Sequence, residues 1–380
     1  MSPLSGIRVL ELARVLAGPW AGQLLSDLGA DVIKVESPQG DETRHWSSES
    51  VGSKQTSYFK STNRGKKSIV ANFNSESDLK TVKTLALKAD VIIENFKVGG
   101  LTKYKLDYQS ISEVNQKVIY CSITGFGQSG PYSNQPGYDF IIQAMGGIMD
   151  ITGEPDGPPQ KPGVAYADIF TGLYSVVAIQ AALLSREKSL IGTHIDMSLF
   201  DTQLGVLANQ AASFQETGIS PLRMGNAHPS IVPYQEFRSL DGSLVIACGN
   251  DNQFAQLCET LNVNYHKDDR FNSNPNRVKN RSVLIKLLEQ KIKKINKKEL
   301  IDELRKVLVP VGNINNVGEA FSEPQAVYRE MAGKINGNPF VRTPIKFDTL
   351  DLSYGTPAPT LGQHTDDIVN SLKEKMLWEN

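Results

Sequence analysis

The chain has 380 residues, room for two or three domains at roughly 100–200 residues each. Hydrophobic residues make up 40% of it and charged residues 21%, the balance of a soluble globular protein. A formal net charge of −1 excludes a global attraction for nucleic acid or an anionic membrane surface, so an anionic ligand must be met by local basic groups.

The N-terminal third alternates strand and helix patterns. IRVLEL (7–12) is a short apolar run suited to a buried strand. Gly18-Pro19 opens the helix WAGQLLSDLG, since Pro in a first helical turn leaves no N–H orphaned. The helix stops at Gly29, and ADVIKVE (30–36) reads as the second strand. The apolar stretch from Ile7 to Leu28 is broken by Arg8, Glu11, Arg14 and Asp27, so neither a signal peptide nor a membrane span is expected. A cytoplasmic protein is expected on that ground. Ser75 caps a further helix, with Asp78 three residues on, and strand DVIIENF (90–96) follows. A helix near 108–114 then leads into strand KVIYCSITGF (117–126). Strands alternating with helices predict a parallel sheet in a doubly wound α/β domain.

From about Tyr138 the pattern turns helical, through DFIIQAMGGIMDI and DIFTGLYSVVAIQAALLSRE (168–187). Strand GTHIDMSL and a helix to about Thr217 follow. YQEFRSL, DGS and LVIACG form a hairpin, because Asp-Gly supplies the backbone angles of a tight turn. Helices are expected near 250–261, 277–295 and 297–308. The lysine-rich run KIKKINKKEL carries Leu287, Leu288, Ile292 and Ile295 at helical spacing, which marks a solvated amphipathic face rather than a nucleic-acid patch. The resulting division is a large domain over 1–217 completed by 344–380, a linker over 218–233, a small α+β domain over 234–325 and a second linker over 326–343.

The first βα turn invites a dinucleotide-binding reading, but it runs R-V-L-A-G-P-W-A-G rather than G-x-G-x-x-G, and Pro19 stands where a pyrophosphate needs close backbone approach. No P-loop, G-x-S-x-G or H-E-x-x-H occurs, and the histidines (45, 194, 228, 266, 364) show no ligand spacing, so no metal is expected. Cys121, Cys248 and Cys258 are too few and scattered for a disulfide framework and are expected to be reduced, buried thiols. Asp168 stands in KPGVAYADIFTGLYSVVAIQAALL, almost free of other charge. It could cap the following helix, or act as a nucleophile whose poor hydration raises its reactivity. The two readings are compatible, and the residues alone leave both open.

LSGIRVLELARVLAGPWAGQLLSDLGADVIKVE, GDETR–W (40–46), NRGKKSI (63–69), ADVIIENF (89–96), SITGFGQSGP (122–131), GYDFIIQAMGG (137–147) and D-x-x-T-G (168–172) together resemble the family III CoA-transferases. The likeness continues through RMGNAHPSIVPYQ-F (223–237) to LGQHTDDI (361–368), in family order. It implies a Rossmann-like large domain built from both chain ends, a small α+β domain, and a homodimer of interlocked subunits. It implies Asp168 as covalent nucleophile and a CoA pocket containing Leu16, Ala17, Ala71, Asn72, Phe73, Asn74, Asn95, Phe96, Lys103, Tyr138 and Asp139. Arg44, Arg64, Lys66, Lys67 and Lys103 are the cations suited to CoA phosphates. Gly225, Asn226 and His228 are candidates for the substrate side, and Gly225-Asn226 or Gly249-Asn250 for oxyanion donors.

The partners expected are an acyl-CoA and a small carboxylic acid, with CoA esters as substrates and no permanently bound cofactor, nucleic acid or membrane. Leu16 replaces the Gln of the formyl-CoA enzymes, and the glycine-rich loop near Gly225–His228 is absent. The sequence therefore resembles the succinyl-CoA:glutarate branch, with an acetyl-CoA:oxalate type second. Two alternatives share the fold: an α-methylacyl-CoA racemase and a non-catalytic CoA-binding protein. The racemase needs a His–Asp base pair, and Gly137-Tyr138-Asp139 offers Tyr, with a reference pKa of ~10, in the place of His.

Overall fold

The computed structural model describes residues 2–47 and 55–378. Six strands form one parallel sheet: β1 (Arg8–Leu12), β2 (Asp31–Glu36), β3 (Lys67–Val70), β4 (Val91–Glu94), β5 (Ile119–Thr124) and β6 (Thr193–Ser198). Their spatial order is β3-β2-β1-β4-β5-β6, so the chain winds one way from β1 and then the other, leaving a switch point between β1 and β4. The helices along this part are α1 (Ala17–Asp27), α2 (Ser57–Asn63), α3 (Glu76–Lys88), α4 (Tyr108–Ser112), α5 (Asp139–Met145), α6 (Ile148–Ile151), α7 (Tyr166–Ser189), α8 (Leu199–Gly205) and α9 (Asn209–Thr217).

Alternate residues of each strand serve opposite faces. Val9, Ile93 and Cys121 pack with Ala21 and Leu25 of α1 and with Val176, Ile179 and Leu183 of α7. Leu10, Ile92 and Tyr120 pack on the other side with Val82 and Leu85 of α3 and with Ile368 of the helix Thr365–Lys373. That last contact brings the C-terminal helix back to the sheet, where its sequence pattern placed it. Ala208, at φ 48°, breaks the single helix expected before Thr217 into α8 and α9.

The chain divides into two compact units, Met1–Ile148 with Lys161–Ile219 and Pro324–Asn380, and Met149–Gln160 with Ser220–Glu323. Three expected boundaries change. Met149–Gln160 leaves the large domain, residues 218–219 stay with it, and the second linker at 326–343 is not a linker. That segment holds the antiparallel hairpin of β10 (Ala332–Ile335) and β11 (Asn338–Val341). Asn336 (φ 50°) and Gly337 (φ 80°) are both left-handed, the pair of angles a two-residue hairpin turn demands.

The second unit has β7 (Tyr234–Arg238), β8 (Ser243–Ala247) and the short β9 (Val311–Asn313) in one antiparallel sheet, with the expected Asp-Gly hairpin joining the first two. Helices α10 (Asp251–Thr260), α12 (Arg281–Ile292) and α13 (Lys297–Lys306) supply Phe254, Leu257, Leu284, Leu288, Ile292, Leu300 and Leu304 to its core, and Val278 of α11 (Asn274–Lys279) packs against it. The lysine-rich run is therefore an amphipathic face. The three cysteines are free and buried.

Candidate active site

Asp168 is the third residue of α7, and Ala165 is the residue at the cap. The cap itself is supplied from elsewhere. Oδ1 of Asp139 accepts from the Ala167 amide at 2.9 Å and from the Asp168 amide at 3.3 Å, while Gln143 Nε2 holds Oδ2 at 2.7 Å. A carboxylate bonded to the first N–H groups also complements the helix dipole. The capping role offered to Asp168 by its sequence position thus belongs to Asp139. The Asp168 carboxyl has no cationic partner among the described residues.

Burial, and then the nearby Asp139 charge, push the Asp168 carboxyl up to about 7. Burial and the carboxylates of Asp168, Asp139 and Asp41 likewise push the Tyr58 phenol up to about 12, so it remains a donor at neutral pH. Trp46 meets Tyr58 edge to face at 5.4 Å.

The D-x-x-T-G motif has a packing explanation. Thr171 Oγ1 returns a bond to the Ala167 carbonyl at 2.7 Å, which keeps the hydroxyl off the neighbouring helix. A Cβ on Gly172 would meet the Ala17 carbonyl oxygen at 2.8 Å and the Trp20 ring at 3.0 Å, so only Gly lets α7 lie this close to the start of α1. Asp168 lies four residues earlier on the same helix face. This tight contact of α7 with α1 falls one turn from the candidate nucleophile.

Leu16 and Ala17 are buried in that first βα turn, beside the switch point. Phe73 and Phe96 stack at 6.2 Å, with Tyr104 edge-on to Phe73 at 5.2 Å and Lys103 Nζ 4.6 Å above the Tyr104 ring. These residues form one aromatic platform past the ends of β3 and β4, together with the turn Asn72–Asn74, where Asn72 Oδ1 accepts from the Asn74 amide. Ala71 is buried beneath it. Tyr138 is 62% exposed.

Four cations proposed for phosphates are committed to carboxylates instead. Arg44 makes a two-pronged pair with Glu36, both bonds at 2.7 Å, and its guanidinium lies 3.6 Å over the Phe59 ring. Arg64 is buried on Asp27. Lys66, fully enclosed, holds Glu11 at 2.7 Å, and Lys67 pairs with Asp31 at 2.8 Å. Each of the four is a counter-ion to a carboxylate of the sheet or of α1. Only Lys103 of the five has no ion pair among the described residues. The Asn95 side chain is likewise occupied, accepting from the Arg14 amide at 3.0 Å and donating to the Arg14 carbonyl at 2.7 Å.

Gly225, Asn226 and His228 lie in the second unit. Asn226 Nδ2 donates to Glu236 at 2.8 Å, and His228 Nδ1 accepts from the Ser230 amide at 3.2 Å. The Gly225 amide donates to the Gly153 carbonyl and the Gly249 amide to Gln253 Oε1, while Asn250 caps α10. Gly225 and Gly249 are therefore not free oxyanion donors in this structure.

A second polar cluster escaped notice in the sequence. Burial pushes the Glu94 carboxyl up to about 7, although it accepts from the Ser122 hydroxyl and the Phe96 amide. Ser122 Oγ lies 2.9 Å from His194 Nε2, and the three line a cavity of about 250 Å³. The available signal was a Glu inside the otherwise apolar strand run DVIIENF.

An unpaired carboxyl at a helix start, beside the switch-point crevice of a doubly wound sheet, is the equipment of an acyl-transfer enzyme. The chain belongs to CoA-transferase family III, whose model matches residues 4–365, and is a CoA-transferase. It is 49% identical to the succinate–glutarate CoA-transferase of Agrobacterium fabrum, over 98% of this chain and 96% of that protein. It is 39% identical to the acetyl-CoA:oxalate CoA-transferase of Acetobacter aceti, over 95% and 93%. A crystal structure of a CaiB/BaiF family protein from Brucella suis superimposes with a TM-score of 0.88 at 53% identity, covering 98% of this chain and 99% of that one.

Proposed function

We propose that the enzyme moves CoA from an acyl-CoA of the succinyl or acetyl type to a small dicarboxylic acid, with Asp168 carrying CoA between them. The observation that supports this most is the Asp168 carboxyl, at the start of α7 and without a counter-ion among the described residues while Asp139 caps the helix. The dicarboxylate assignment leans on the names of the relatives, and Leu16, which departs from the formyl-CoA pattern, weighs against a formyl-CoA donor.

Exchange of one thioester for another is nearly isoenergetic and requires a water-poor site rather than an external energy source. The Asp168 carboxylate attacks the acyl carbonyl, expelling CoA thiolate and forming a mixed anhydride. The thiolate attacks the aspartyl carbonyl, giving an aspartyl-CoA thioester and releasing the donor acid. The acceptor carboxylate attacks that thioester, again forming an anhydride and thiolate. Attack of the thiolate on the acceptor carbonyl yields the new acyl-CoA and returns the Asp168 carboxylate. Tyr58, as a protonated phenol beside both carboxyls, is suited to donate a hydrogen bond to the oxygen that gains charge.

The reading includes the platform Phe73, Phe96, Tyr104 and Lys103 as the seat of the CoA nucleotide. It also includes a homodimer in the cytoplasm. Support for the dimer comes from the outer face of α7, where Val177 is 61% and Leu184 71% exposed, and from exposed Phe140 and Ile141 on α5. Light scattering at micromolar concentration is expected to give twice the chain mass, and a monomer would count against it.

The deciding experiment incubates the protein with succinyl-, acetyl- and formyl-CoA against mono- and dicarboxylates, reading the mass of each new CoA ester. Hydroxylamine added with acyl-CoA is expected to convert Asp168 to a hydroxamate on the peptide containing VAYADIF. No new ester from any pair, or no label on that peptide, would overturn the assignment.

A further inference from the structure

Val15 has φ 69°, and it is the one β-branched residue among the described non-glycine residues with positive φ. A β-branched side chain in the left-handed region is a genuine outlier, held only where surroundings over-determine it. The surroundings here are specific. On the β4 side, the Asn95 amide grips Arg14 through both backbone groups, donating at 2.7 Å and accepting at 3.0 Å. On the β2 side, the Asp41 carboxylate accepts from the Val15 amide, at 3.1 and 3.3 Å to its two oxygens.

Asp41 is itself fixed. It accepts from the Thr43 amide at 3.0 Å and hydroxyl at 2.7 Å, and pairs with Lys34 at 3.0 Å. Lys34 Nζ also donates to Glu11 at 3.0 Å and to the Ala13 carbonyl at 2.7 Å, immediately before the turn. Glu11 is in turn held by Lys66, which also bonds the Pro19 carbonyl in α1. This chain of charges reaches the segment from Ala13 to Pro19 at three points, the Ala13 carbonyl, the Val15 amide and the Pro19 carbonyl. The turn they hold sits at the switch point and starts α1, whose Leu16 cap position has no side-chain bond.

We infer that Asn95 and Asp41 are positioning residues, whose work is to hold Val15 left-handed so that the Leu16–Ala17 backbone is set for the acyl-CoA. This rests on the reading that Leu16 and Ala17 face the CoA ester. It reassigns Asn95 from ligand contact to clamp. Without the clamp, the turn relaxes toward negative φ at Val15 and binding must first restore it.

The test uses full-length protein, with two readouts. In Asn95→Ala, hydrogen exchange over the peptide spanning residues 13–20 is expected to speed up at least several-fold, with the peptides of β5 and α7 unchanged. Titration calorimetry is expected to show CoA binding weakened on the order of tenfold. The rescue separates clamp from contact. Val15→Gly removes the steric objection to positive φ, so added to Asn95→Ala it should recover most of the lost affinity, and alone it should bind CoA like wild type. Loss of affinity that Val15→Gly cannot restore would make Asn95 a direct contact and overturn the inference. So would unchanged exchange and unchanged binding in Asn95→Ala. If the wild type fails to bind CoA, the functional reading falls, while exchange at residues 13–20 still judges the clamp.

Discussion

Two groups of carboxylates on the same unit, one buried and one half-buried, are treated in opposite ways. Glu11 and Asp41 are enclosed between β1 and β2, yet Lys34 and Lys66 stand within 3.0 Å and cancel their charge. The cation gains as well, since Glu11 and Asp41 hold the Lys34 ammonium above its ordinary range despite burial. Asp168 and Asp139 lie together with no cationic partner among the described residues, and the cost of their charge shows as a carboxyl lifted to about 7. A buried carboxylate given a partner is spent on architecture, whereas one denied a partner keeps its reactivity. The contrast also explains why burial alone is a poor marker of function in this protein.

The largest effect expected from breaking the second group is catalytic. Asp168→Asn should fold normally, and below about pH 4, where the Asp168 carboxyl is also uncharged, it should shift the melting temperature by at most a few degrees, a change of ~1 kcal/mol or less, because Asp139 caps α7 in its place. CoA transfer should fall on the order of a thousandfold or more, as for loss of a covalent nucleophile. Substantial turnover in this variant would remove Asp168 from the mechanism.

Breaking the first group should act on stability instead. Lys34→Met leaves Glu11 with Lys66 alone and Asp41 without its ammonium, and uncompensated buried charge costs ~3–5 kcal/mol. A fall in melting temperature of roughly 10 °C is expected. A melting curve like that of wild type would mean the ion chain is ornamental.

The pH dependence sharpens the comparison further. A carboxyl raised to about 7 binds its proton more tightly in the folded chain than in the unfolded one, whose value is near 3.8. Its contribution to stability is fully present below about pH 4 and is lost as pH rises through 7. Wild type should therefore lose stability relative to Asp168→Asn between those limits. Over the same window, kcat/KM should rise as the nucleophile ionises and level off above about 7. A flat profile from pH 5 to 8 would contradict the elevated carboxyl.

The smallest effect expected is at Asp139→Asn. The amide oxygen can still accept from Ala167 and Asp168, so the cap survives, but the like charge beside Asp168 is gone. The acid limb of kcat/KM should move to lower pH, with less than about a tenfold change in rate at pH 8. An unmoved limb would leave burial as the whole cause of the shift.

Much of this was legible along the chain. The alternation of strand and helix, the Ser75 cap and the Asp-Gly hairpin follow from local rules, and each stands in the structure. The hairpin signal at Asn336-Gly337 was equally available in a segment read as linker, where β10 and β11 have only four residues each. Asp168 stood out because almost no other charge surrounds it in sequence. The four paired cations show the opposite limit. Arg44, Arg64, Lys66 and Lys67 look like solvated charges in a loop-rich stretch, and nothing local says that Glu36, Asp27, Glu11 and Asp31 will be brought against them.

By itself, then, the sequence determined the order of elements, the doubly wound class and the identity of the candidate nucleophile, because periodicity, turn chemistry and charge-poor context are properties of neighbours in the chain. Only the tertiary structure decided which carboxylate caps α7 and which cations are already taken. It alone revealed that Val15 is strained and what holds it. Asp139 reaches Ala167 across 28 positions and Asn95 reaches Arg14 across 81. Hydrogen bonds and ion pairs act over about 3 Å of space, and no local pattern encodes partners that only the winding of the sheet brings that close.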